Sequence, residues 1–240
     1  MKRNLLAVVT VSLFVLVVSS KAEAMLDNGG FDSLASSEHG KIYGYTQGNM
    51  PGGAWDVYDS VPGWKSGSGT AGIEIQKNLR PVKAHSGNFY VELDSHRRGG
   101  GSNTNSSMYQ TVSLDTGSYN LGWYYHARSD AMNDNGIKAF LKDSSGGITD
   151  IGDVNKTNSE QTALWENIDW TFSIASAGEY ELWFEAFGTD NTIGGLIDSV
   201  TLLSSSMSSS APAPVPEPAT MLLFGTGLAC LAGVARRKKK

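Results

Sequence analysis

The chain has 240 residues, of which 18% are charged and 40% hydrophobic, with 28 glycines and one cysteine. Residues 25–215 hold 11 basic and 22 acidic side chains, a net charge of −11. That charge excludes nucleic acid and anionic membrane surfaces as partners and suits neutral ligands or divalent cations. The one cysteine, Cys230, sits in an apolar segment near the end of the sequence, so no disulfide framework can hold the rest together.

At the start, Lys2 and Arg3 precede an apolar run over residues 5–18, followed by Ala22-Glu23-Ala24. A basic flank, a short apolar core and a small-x-small site make a secretory signal peptide, with signal peptidase cutting after Ala24. Residues 25–204 then provide 180 residues, enough for one domain with a sizeable core. Residues 41–59 are rich in Gly, Tyr and Asn and read as largely irregular.

From Ile73 to Leu203 the apolar period is mostly two, the signature of half-buried strands. Ile73 and Ile75 alternate with Glu74 and Gln76; Phe89, Val91 and Leu93 with Tyr90, Glu92 and Asp94. Leu121, Trp123 and Tyr125 alternate with Tyr124, His126 and Arg128, and Leu182, Phe184 and Ala186 with Trp183 and Glu185. Turn residues separate these runs at 86–88, 115–118, 144–147 and 177–178, and residues 130–136 read as a hairpin loop. Many short strands with polar turns predict an all-β sandwich.

Putting the apolar members in the core leaves the polar members outward. If the strands share one sheet, Tyr90, Glu92, Tyr124, His126, Arg128, Trp183 and Glu185 form a face of flat aromatic rings and hydrogen-bonding groups. Such a surface suits sugars, whose C–H faces stack on rings while their hydroxyls bond to carboxylates and guanidinium. An ordinary solvated face, or one covered by an irregular segment, is the alternative. No His-Glu-x-x-His, Gly-x-Ser-x-Gly, phosphate-binding glycine loop or cysteine nucleophile occurs in the exported part, so no catalytic residue is assigned and the protein reads as a non-enzyme.

Residues 205–214 form a Ser/Ala/Pro linker, followed by Val215-Pro216-Glu217-Pro218, an apolar run over residues 221–235, and Arg236-Arg237-Lys238-Lys239-Lys240. An exposed short motif, an apolar helix and a cationic cytoplasmic end together read as a sorting address. At 1.5 Å per residue the run spans only ~22 Å of a ~30 Å hydrocarbon core, short for a permanent anchor. The tail resembles the PEP-CTERM sorting signal, also filed as an ice-binding protein C-terminal domain. The resemblance implies recognition by an exosortase of a Gram-negative inner membrane, with the helix held there transiently and then removed.

The body carries a second resemblance. Asn28-Gly29-Gly30-Phe31-Asp32, Pro62-Gly63-Trp64, Gly72-Ile73-Glu74, His85-Ser86-Gly87-Asn88-Phe89 and Gly195-Leu196-Ile197-Asp198-Ser199-Val200 are similar to landmarks of galactose-binding-like jelly rolls, including secreted carbohydrate-binding modules. The resemblance implies a jelly-roll β-sandwich and a structural calcium ion held by Asp32 and Asp198. The expected protein is therefore an exported, exosortase-sorted jelly roll that binds carbohydrate or exopolysaccharide at the cell surface or in the extracellular matrix of a biofilm. A structural matrix or adhesion protein is the alternative from another class, and a glycoside-active enzyme a remote one.

Overall fold

The computed structural model describes residues 26–33, 37–101, 104–128, 136–155 and 164–205. Ala22 and Ala24 of the leader, the linker, and the tail with Val215, Pro216, Glu217 and Pro218 lie outside the described residues.

The described chain is built from strands. They are β1 (Trp55–Tyr58), β2 (Ser60–Val61), β3 (Trp64–Ser66), β4 (Ile73–Lys77), β5 (Phe89–Glu92), β6 (Ser107–Leu114), β7 (Gly117–His126), β8 (Gly136–Asp143), β9 (Ile148–Val154), β10 (Glu166–Ile174), β11 (Gly178–Phe187) and β12 (Leu196–Ser205). Two six-stranded sheets result, ordered β1-β4-β5-β12-β7-β10 and β2-β3-β6-β11-β8-β9. Every ladder within them is antiparallel.

From β5 onward the chain passes from one sheet to the other at nearly every turn, with β8–β9 as the one hairpin. This is the course of a jelly-roll sandwich. Residues 130–135, read as a hairpin loop, lie outside the described residues, and the strands on either side, β7 and β8, belong to different sheets and do not pair. Periodicity reports only which side chains face inward, and it is the same whether the next strand pairs or crosses.

The predicted inward residues form the core. Ile73, Ile75, Val91, Leu121, Leu182 and Phe184 are all fully buried. Trp123 of the first sheet meets Phe184 of the second at 5.4 Å between ring centroids, and Trp64 meets Phe184 at 6.0 Å. Interdigitated rings of this kind supply the burial that a domain without disulfides needs.

Residues 41–59 are more regular than expected, holding β1 and a single 3-10 turn over Gln47–Asn49. The cause is Asp56, fully buried, whose carboxylate accepts N–H groups from Ile42 (2.8 Å), Tyr43 (3.1 Å), Tyr45 (3.0 Å) and its neighbour Val57 (2.8 Å). One side chain thereby replaces the ladder that these amides lack.

Candidate functional site

The sandwich has two outer faces, and they divide the predicted ligand residues. Tyr90, Glu92, Tyr124, His126 and Arg128 belong to the first sheet or its immediate flank; Trp183 and Glu185 belong to β11 of the second. The strands do not share one sheet, so the single seven-residue face expected from alternation does not exist.

On the first face the polar floor is sealed. Glu74, Gln76, Tyr90 and Glu92 are at most 2% exposed, and His126 is 9% exposed. Glu74 and Glu92 are direct cross-strand partners on β4 and β5, bridged by Gln76, whose amide donates to Glu74 Oε1 (2.9 Å) and to Glu92 Oε2. Arg128 donates to Glu92 Oε2 at 2.8 Å, and the Gly194 N–H to Oε1 at 2.6 Å. The His96 N–H donates to Glu74 Oε2 at 2.9 Å, with the His96 ring nitrogen equally close and its ring 4.2 Å from that of Trp55. Burial pushes the Glu92 carboxyl well above the usual carboxylate range, the charge of Glu74 adds to the shift, and Arg128 opposes it.

Loops complete the cover. Trp165 sets its edge against Tyr90 (5.6 Å) and His126 (5.4 Å) and donates its indole N–H to the Lys83 carbonyl at 2.8 Å. The Tyr90 hydroxyl donates to the Leu79 carbonyl at 3.2 Å, and the His85 ring stacks on Tyr124 at 3.4 Å. Burial lowers the His126 pKa and raises that of Tyr90. Tyr90, Glu92 and His126 thus serve an internal network instead of presenting themselves to a ligand. The alternation was right; the cover was not visible in it.

The second face is partly exposed: Tyr109, Trp183 and Glu185 are half-buried, and Phe140, at 7% exposed, is buried. Trp183 stands outward on β11 between its direct partners Tyr109 of β6 and Phe140 of β8. Its ring lies 4.5 Å from Tyr109 at 19° and 5.8 Å from Phe140 at 7°, giving three nearly parallel rings side by side. Glu181 Oε2 accepts the Trp183 indole N–H at 2.9 Å, fixing the ring. Lys138–Glu185 (3.2 Å) and Lys142–Glu181 (3.9 Å) flank the row, and each lysine also sits over a ring, Lys138 at 5.3 Å from Phe140 and Lys142 at 5.6 Å from Trp183.

A cavity opens on either side of the row, along the strand direction. One, of about 420 Å³, is lined by Gly67, Thr70, Asn105, Ser107, Trp183 and Glu185. The other, of about 500 Å³, is lined by Thr111, Lys142, Asp143, Ser145, Tyr180 and Glu181. Gly67 keeps the first one clear: a Cβ there would come within 2.1 Å of Ser107 Oγ and 3.0 Å of the Trp183 ring. Chemically, the row offers flat apolar surface ringed by donors and acceptors, the combination that holds a ring-shaped polyol. Sequence reading missed Tyr109 and Phe140, although Met108, Val112 and Leu114 alternate with Tyr109, Thr111 and Ser113, and Ile137, Ala139 and Leu141 with Lys138, Phe140 and Lys142.

Asp32 and Asp198 come to one corner, on either side of residues 85–88. Asp198 is fully buried and accepts N–H groups from His85 (2.8 Å), Ser86 (3.1 Å) and Ser199 (2.5 Å); Asp32 accepts that of Asn88 (2.9 Å). Gly87 lies between them at φ 61°, where a Cβ would fall 1.6 Å from Asp32 Oδ2. Burial pushes the Asp198 carboxyl up to about 6, against the lowering effect of those N–H groups. Among the described residues no group of three or more His, Cys, Asp or Glu is placed to hold a metal, so an ion bound by Asp32 and Asp198 would take its remaining oxygens from backbone carbonyls.

Residues 214–239 match the PEP-CTERM protein-sorting motif, which marks an exported protein sorted to the cell envelope. No curated protein matches the chain. Among solved structures, the chain is similar to TmCBM61 in complex with beta-1,4-galactotriose at 18% identity and a TM-score of 0.47, covering 76% of this chain and 99% of that one. It is similar to the arabinose-bound MgGH51 α-L-arabinofuranosidase at 11% identity and a TM-score of 0.48, covering 75% of this chain and 26% of that one. It is also similar to the CBM22-1 xylan-binding domain of Paenibacillus barcinonensis Xyn10C at 11% identity and a TM-score of 0.42, covering 78% of this chain and 97% of that one.

Proposed function

We propose that this is an exported, non-catalytic protein of the cell surface or extracellular matrix that binds carbohydrate on the outer face of its second sheet. The observation that carries the reading is the row Tyr109, Trp183, Phe140 on the outer face, with Tyr109 and Trp183 half-buried and a cavity on either side along the strand direction. Glu185 and Glu181 supply acceptors beside it, and Ser107, Asn105 and Thr111 supply small polar groups in the two cavities. A glycan array probed with the purified exported protein tests the reading, with Trp183→Ala alongside. Retention of defined saccharides by the wild type and their loss in the variant supports it. A folded protein that retains no glycan leaves the matrix or adhesion reading in its place.

The route outward is part of the same proposal. Signal peptidase removes residues 1–24, the apolar run holds the chain briefly in the inner membrane, and an exosortase acts at Val215-Pro216-Glu217-Pro218. Replacing Glu217 with Ala, or deleting residues 236–240, is expected to leave unprocessed protein in the inner membrane. Fractionation with intact-mass measurement checks it, and a wild-type protein that keeps residues 221–240 in cells containing an exosortase overturns it.

A further inference from the structure

A third cavity, of about 700 Å³, lies beyond the first-face cluster and apart from the aromatic row, between the turn over residues 51–54 and the loop that joins β4 to β5. Its lining includes Gly52, Gly53, Asn78, Arg80, Pro81 and Lys83, and the only charged side chains in that lining are the two cations. Both are exposed, and among the described residues neither is engaged in an ion pair. Lys41, Arg128, Lys138 and Lys142, by contrast, are each matched to a carboxylate. In a body of net charge −11, two unmatched cations in one concavity are a local reversal of sign.

Both walls are fixed from behind. The turn is tied to β4 by Gly53 N–H to the Lys77 carbonyl (2.7 Å) and Lys77 N–H to the Ala54 carbonyl (2.8 Å). The loop is held by Tyr90 at the Leu79 carbonyl, by Trp165 at the Lys83 carbonyl, and by Asn78 Oδ1 accepting the Ala84 N–H at 2.9 Å. The sealed network of the first face therefore has an external consequence: two of its aromatic side chains hold the backbone that carries Arg80 and Lys83. A preorganised wall lowers the entropy lost on binding.

We propose that this cavity is a second binding site, for the carboxylate groups of an acidic saccharide. The guanidinium of Arg80 matches a planar carboxylate through paired N–H donors, and Lys83 adds a point charge, so the site selects charge where the aromatic row selects shape. The proposal rests on the saccharide reading only for the class of ligand, since its residues and its location are separate.

The test is calorimetric titration of the full exported protein with a linear oligogalacturonate, a neutral galacto-oligosaccharide of equal length and its sulfated derivative. The uronate is expected to bind more tightly as salt is lowered, and Arg80→Gln and Lys83→Gln each to weaken it about tenfold. Gly52→Trp is expected to block it with an unchanged melting temperature, because a Cβ at Gly52 meets nothing within 4 Å. The neutral oligomer should be indifferent to all three variants. Absence of uronate binding, equal affinity in the three variants, or loss of the uronate in Trp183→Ala instead overturns the site. Binding of the sulfated oligomer alone overturns the carboxylate assignment. Failure of the neutral oligomer to bind, with the uronate still bound, rejects the aromatic row and leaves this site standing.

Discussion

The two outer faces of the sandwich come from the same alternating pattern and end in opposite states. On the first, Glu74, Gln76, Tyr90 and Glu92 project away from the core and are then buried a second time, beneath His96, Trp165 and the Gly194 backbone. On the second, Tyr109, Trp183 and Phe140 project away from the core and pack on one another beside two ion pairs, which leaves Tyr109 and Trp183 half-buried and Phe140 buried. The difference lies in the connections: His96, Trp165 and Gly194, all outside the strands, lie over the first face, whereas on β6, β8 and β11, strands of 8, 8 and 10 residues, the row is packed by side chains of those strands themselves. A polar side chain that points outward is a ligand group only where no loop claims it first.

The sharpest way to break this contrast is to remove Arg128. Glu92 would then be a buried carboxylate opposite Glu74 with no cation, and breaking a buried pair from one side costs about 3–5 kcal/mol. Glu92 escapes part of that by holding its proton, so the loss measured by urea denaturation of Arg128→Ala is expected to be larger at pH 8 than at pH 5. Glycan binding should be unchanged. A variant of wild-type stability that no longer binds glycan would make the first face the ligand face. Leu182→Ala follows: it opens a cavity beneath Trp183 and is expected to cost about 2–5 kcal/mol, with binding per folded molecule intact.

How far the sequence could be read follows from the same contrast. Inward residues were legible, because Ile73, Val91, Trp123 and Leu182 obey a period of two that backbone geometry enforces. Sheet membership was not. Assigning Trp183 beside Tyr90 requires knowing that β11 pairs with β6 and β8, a non-local fact that no local pattern carries. The order in residues 41–59 was hidden for a related reason, since it depends on Asp56 collecting amides from residues 42–45. The resemblance puts Asp32 and Asp198 side by side, and in the structure both carboxylates accept backbone N–H groups of residues 85–88, a loop that no pattern around either Asp reveals.

That corner yields a prediction with a sign. Asp198 titrates near 3.9 in the unfolded chain and at about 6 in the native one, so between those values the native state binds more protons and stability falls as pH rises. The full effect is on the order of 3 kcal/mol, and Asp198→Asn should flatten it. Denaturation from pH 4 to pH 7 is expected to give the same falling trend with calcium and with chelator. A bound calcium ion demands the ionised carboxylate and would turn the trend upward whenever calcium is present. A calcium-dependent rise in melting temperature that disappears in Asp32→Ala and Asp198→Ala would therefore place the ion in the corner and rearrange the amides around it.

The smallest effect bears most directly on function. Trp183→Ala removes the central ring of the row and is expected to weaken glycan binding by about 1–3 kcal/mol, as for other aromatic stacking contacts. The fold should lose less, because the ring contributes cross-strand contacts with Tyr109 and Phe140 of about 0.2–1 kcal/mol each and no core volume. Tyr109→Ala should weaken binding by less than Trp183→Ala, since it leaves the central ring and its bond to Glu181 in place. Trp183→Phe separates stacking from polarity: it keeps a flat ring but loses the indole N–H, so binding that survives in Phe and fails in Ala shows that the flat surface is what the ligand uses. If Trp183→Ala unfolds the domain while Leu182→Ala does not, β11 is one residue out of register and the row belongs to the core.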